Sequence, residues 1–68
     1  MIDDEIKNKA KTFCEHKIEV HITQTDGSWK NGKIKKMFDT YLMLDERIEG
    51  EMPLFYNEIK NIVKFNKK

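Results

Sequence analysis

The chain has one cysteine, one proline and three glycines among 68 residues, and no apolar run approaches the ~20 residues of a membrane span. Each scarcity excludes something. The one cysteine, Cys14, rules out an internal disulfide and fits a reducing compartment. No export-type apolar segment stands near residue 1, so a cytoplasmic location is expected. Cys14 and His16 are two apart, which sets them on different sides of a helix, and no C-x-x-C or H-x-x-x-H pair occurs. No metal site is expected. The only serine, Ser28, lies in a turn signal, no histidine stands beside a plausible nucleophile and acid, and there is no glycine-rich phosphate loop. Neither catalysis nor a cofactor is expected.

What is present is balanced. Hydrophobic residues make up 38% and charged residues 37%, which is the composition of a folded domain with room for one core. The net charge is only +1, yet the charges are unevenly placed. Residues 30 to 36 carry Lys30, Lys33, Lys35 and Lys36 with no acid. Residues 45 to 51 carry Asp45, Glu46, Glu49 and Glu51 against Arg47, and Lys64, Lys67 and Lys68 end the chain. A local basic stripe binds phosphate even at near-zero net charge, although such lysines equally serve to solvate and blunt a strand.

Hydrophobic spacing divides the chain in two. Ile2, Ile6, Ala10 and Phe13 recur at helical spacing, with Asp3 as a cap and Lys7 and Lys11 on the solvated side, so a helix is expected over about residues 3–15. From Lys17 the period changes to two. Ile18, Val20 and Ile22 alternate with polar residues in a half-buried strand. Asp26-Gly27 is a hairpin turn signal, and Trp29 opens a second strand as a residue capping the core. Gly32 inside that strand predicts a bulge or bend, and Ile34 with Met37 or Phe38 gives its apolar side. Tyr41 to Leu44, residues 51–56 and Ile59 to Phe65 complete five strands, with Pro53 marking an edge or a strand start.

A helix followed by five short strands, read with the motif residues, resembles the Sm-like superfamily of Sm, LSm and Hfq-type proteins. The resembling residues are Val20 and Ile22, Asp26-Gly27, Trp29, Gly32-Lys33-Ile34, Phe38-Asp39-Thr40-Tyr41, and the stretch MPLFYNEIKNIVKF over residues 52–65. Leu42 and Met43 stand where Sm proteins place an asparagine, and Lys60-Asn61 stands in place of their Arg-Gly pair. The resemblance implies a single domain over 1–68. It would be mostly β with one N-terminal helix, and residues of about 17–66 would form a strongly bent five-stranded antiparallel SH3-like barrel.

It further implies a homo-oligomeric ring, hexameric or heptameric, in which the fourth strand of one copy pairs with the fifth of the next. Leu54, Phe55, Tyr56, Ile62 and Val63 are the interface residues so implied, with completion of the chain's own core as the alternative for Phe55 and Tyr56. The implied partner is single-stranded RNA, with U-rich sequence as one option. Tyr41 would stack on a base, Asp39 would orient the loop or accept from a base edge, Lys60 would neutralise phosphate and Asn61 would hydrogen-bond a base. Two other readings remain open from the residues alone: an SH3-like protein-interaction module without nucleic acid, and one subunit of a hetero-oligomer.

Overall fold

The computed structural model describes residues 2–65, with side chains from residue 4 onward. The expected Asp3 cap, the place of Ile2 in the apolar stripe, and the Lys67 and Lys68 charges lie outside these. Helix α1 spans Ile2–Glu15 and is followed by β1 (Glu19–Gln24), β2 (Trp29–Met37), β3 (Tyr41–Glu46), β4 (Gly50–Phe55), a short 3-10 turn η1 (Tyr56–Glu58) and β5 (Ile59–Lys64).

The helix forms because Ile6 and Ala10, one turn apart, give it a stripe to bury, and both are buried. Phe13 and Cys14 extend that stripe against the core. It ends in a paired-bond cap. Lys17 N–H donates to Cys14 O at 3.2 Å and Ile18 N–H to Phe13 O at 2.9 Å, with Lys17 in the left-handed region at φ 54°.

The strands form one antiparallel sheet in the order β4-β3-β2-β1-β5. Alternation is clean in β1, where Val20 and Ile22 are buried, and in β3, where Leu42 and Leu44 are. Leu54 of β4 and Ile59 and Ile62 of β5 join them in a single cluster with Ile6, Ala10, Ile34 and Tyr56. The two outermost strands thus share one core, which requires the sheet to curl around it. It curls without closing, because β4 and β5 are not paired to each other. This is the expected bent, five-stranded barrel with its N-terminal helix.

Two sequence expectations are corrected. Trp29 does not cap the core: it is 59% exposed. It pairs with Thr23 at an odd position of a strand whose even positions, Gly32 and Ile34, face inward, so the pleat turns its ring outside. The irregularity of β2 is also not at Gly32. The register shifts between Ile34 and Lys36, which makes Lys35 the extra residue. Gly32 answers a different need. A Cβ there would collide with the backbone carbonyl of Asp45 and lie 2.9 Å from Glu46 Cα, so β3 crosses β2 at a distance only glycine permits.

The turns are built by side-chain carboxylates. Asp26 Oδ1 accepts the Ser28 N–H at 2.9 Å and the Ser28 hydroxyl at 2.6 Å, while Gly27 takes φ 92°. Glu46 Oε1 accepts the N–H groups of Glu49 and Ile48 at 2.7 and 2.8 Å, and those bonds hold its carboxyl below its ordinary 4.5.

Candidate nucleic-acid interface

The turn between β2 and β3 carries the motif Phe38-Asp39-Thr40-Tyr41 and is held from both sides. Phe38 N–H donates to Tyr41 O at 2.8 Å, closing the turn. Tyr56, buried under it, donates its hydroxyl to Phe38 O at 2.7 Å and its N–H to Thr40 O at 3.2 Å. Burial pushes the Tyr56 phenol above its ordinary value of 10.0, the bond to Phe38 opposes this, and the Asp39 charge adds to the rise. The phenol therefore stays a hydrogen-bond donor through the neutral range.

On that rigid base stands an aromatic row. Phe38 and Tyr41 stack with ring centroids 4.7 Å apart and an interplanar angle of 18°. Phe55 of β4 lies 5.6 Å beyond Tyr41, tilted by 52°. Lys36 Nζ sits 5.4 Å from the Phe38 ring centroid. Phe38 is 38% and Phe55 45% exposed, while Tyr41 between them is half-buried, so the row is open to solvent at its two ends. Beside it, between α1 and the turn, runs a groove of about 520 Å³ lined by Lys7, Asn8, Lys11, Met37, Phe38, Asp39 and Tyr56. Lys7 Nζ lies 5.3 Å over the Tyr56 ring.

Of the four sequence-expected RNA contacts, Asp39 and Tyr41 lie on this turn, and Asp39 is exposed. Lys60 and Asn61 lie on β5, exposed and separated from β3 in the sheet by β2 and β1. Among the described residues no hydrogen bond or ion pair joins the two sets. Asn61 has its carbonyl oxygen engaged, accepting the Ile62 N–H at 2.9 Å and a proton of Lys9 Nζ at 3.5 Å, which leaves its amide NH₂ as the group open to a ligand.

The implied interface residues divide. Leu54, Tyr56 and Ile62 are buried in the chain's own core, so a neighbouring strand would meet them only through their backbone. Phe55 and Val63 are exposed on the two free edge strands, at 45% and 42%.

The basic stripe is partly answered from within. Lys35 pairs with Glu51, and Lys30 with Glu49 at 3.7 Å, so the register brings the acidic segment back beside the lysines. Lys36 alone of the stripe faces the aromatic row. Reading the sequence missed Lys7, Asn8 and Lys11 as groove residues. The four-residue spacing of Lys7 and Lys11 put them on one helix face, but nothing in it said that the face borders the turn. Among the described residues no group of three or more His, Cys, Asp or Glu is placed to hold a metal ion.

No family model and no curated protein sequence matches the chain. Among solved structures, it is similar to the crystal structure of the pleiotropic translational regulator Hfq, with a TM-score of 0.73 at 14% identity, over 82% of this chain and 92% of that one. A likeness at this identity speaks for architecture, and with the helix, the strand order and the open curled sheet already in place it settles that architecture: the chain has the Sm-like fold.

Proposed function

We propose that the chain assembles through its two free sheet edges into a homo-oligomeric ring that binds single-stranded RNA, as a chaperone or scaffold in RNA processing or regulation. The observation that carries this reading is the Phe38–Tyr41 stack, exposed at Phe38 with Lys36 over that ring, on a turn clamped by buried Tyr56. An aromatic face that is open, rigid and next to a cation suits an unpaired base, whose stacking contributes roughly 1–3 kcal/mol. Lys7 and Lys11 in the groove and Lys36 over Phe38 would meet a phosphate backbone leaving the stack, and Asp39 would accept from a base edge. That Hfq is a translational regulator agrees with a regulatory role for a protein of this architecture.

In the ring, β4 of one copy lies along β5 of the next. Lys60 and the Asn61 amide then act as contacts contributed by a neighbour, and Phe55 and Val63 become covered. Because lysines would carry the phosphate contacts, binding is expected to weaken steeply with salt.

Native mass spectrometry tests the assembly, with a discrete hexamer or heptamer as the expected result. Fluorescence anisotropy with labelled single-stranded oligonucleotides tests the site. Tyr41→Ala should weaken binding about ten-fold while leaving the native mass unchanged. Unchanged affinity would remove the site assignment. A monomer that binds no oligonucleotide would leave a protein-interaction module as the reading.

A further inference from the structure

Residues of an antiparallel ladder alternate between those whose N–H and C=O face the partner strand and those whose groups face away. Phe65 N–H donates to Glu19 O at 2.9 Å, and the register from Val20 opposite Lys64 to Thr23 opposite Asn61 is unbroken. The odd residues of β5 therefore bond to β1, and Ile62 points its N–H off the outer edge. On the other side, Tyr56 N–H donates to Thr40 O, and the register from Tyr41 opposite Phe55 to Glu46 opposite Gly50 is unbroken. Pro53 therefore turns its nitrogen outward, where a missing donor takes nothing from the ladder.

Both free edges are thus altered at mid-strand, in different ways. β4 has no donor at Pro53. β5 has one at Ile62, but it is taken: Asn61 Oδ1 accepts it at 2.9 Å, and Lys9 of α1 donates to the same oxygen at 3.5 Å. A proline is permanent, whereas a side-chain amide can rotate away.

We propose that Asn61 is a latch on the β5 edge that sets the concentration at which a second copy of this chain docks its β4 edge there. This rests on the edge-to-edge assembly proposed above. The occupant is a second copy because the edges complement each other. β4 carries the acidic Glu51, held within the chain by Lys35, β5 carries Lys60 and Lys64, and each strand has one exposed apolar side chain, Phe55 and Val63. With the latch closed, an incoming strand finds no donor at Ile62. With it open, Ile62 N–H bonds across the interface and the Asn61 amide returns to water beside Lys9. Docking exchanges one hydrogen bond for another at this position, where an unlatched edge would gain one. Until then the occupied donor keeps β5 from offering a template to other strands.

The test is a dilution series of the full chain followed by native mass spectrometry. Asn61→Ala opens the Ile62 donor and should lower the assembly midpoint about two- to ten-fold. Asn61→Asp keeps the acceptor and adds charge to the bond, and should raise the midpoint. Hydrogen exchange of the Ile62 amide at concentrations below the midpoint should be slow in the wild type and fast in Asn61→Ala. Equal midpoints for wild type and Asn61→Ala, or a fast Ile62 amide in the wild type, overturn the latch and leave the ring standing. A chain that assembles in none of the three forms overturns ring and latch together.

Discussion

Lys17 occupies a conformation that its side chain disfavours. At φ 54° it fills the left-handed position that closes α1 through the Lys17–Cys14 and Ile18–Phe13 bonds, where glycine is the usual residue. A residue with a Cβ gives up roughly 1–2 kcal/mol there, part of which glycine forfeits again through its freer unfolded chain. Lys17→Gly should therefore raise stability by about 0.5–1 kcal/mol, visible as a rise of a few degrees in Tm by thermal circular dichroism; a fall would mean that the lysine side chain contributes something the cap geometry does not show. Trp29 is the opposite case, an aromatic that looked internal by type alone. Counting in twos back from Ile34 and Gly32 places it outside, so its position was legible from the pleat, and residue type misled.

The strand β2 shows where element-level reading stops. Its existence and its hairpin with β1 are written locally, in alternation and in Asp26-Gly27, whereas its need for Gly32 comes from the approach of β3. The location of the bulge is not, because it depends on how β3 lies across β2. The same holds for the ion pairs of Lys30 with Glu49 and Lys35 with Glu51, which look like separate clusters in the chain and become neighbours only once β2, β3 and β4 are in register. The close crossing gives a direct prediction. Gly32→Ala forces a Cβ into the Asp45 carbonyl, and since backbone rather than a flexible side chain must yield, a loss of about 2–4 kcal/mol is expected in urea denaturation. A loss under about 0.5 kcal/mol, the range of an ordinary surface change, would show that β3 can move aside at little cost.

At the scale of the whole molecule, the curled sheet was foreseen because the motif residues of a helix and five short strands resemble those of the Sm-like superfamily. The aromatic row was half foreseen: Tyr41 was named from the motif, whereas Phe55 as its neighbour and the lysines of α1 as the groove's other wall needed the fold. Assembly leaves a thermodynamic signature that does not depend on any mutation. If folded copies pair at their edges, Tm rises with protein concentration by mass action, and differential scanning fluorimetry across a hundred-fold range should show it. A concentration-independent Tm over that range counts against assembly.

The order of the strands also bears on synthesis. β1 is flanked by β2 and by β5, the last of the described strands in chain order, so one side of Val20 and Ile22 stays without its partner until Ile59–Lys64 emerges. At a ribosome adding about 5–20 residues per second, β1 and β2 spend seconds as an incomplete hairpin with an open flank. The β1 flank therefore cannot be covered before β5 is made, and a chain truncated before Ile59 would present to the cell a sticky, open-edged sheet in place of a smaller working protein.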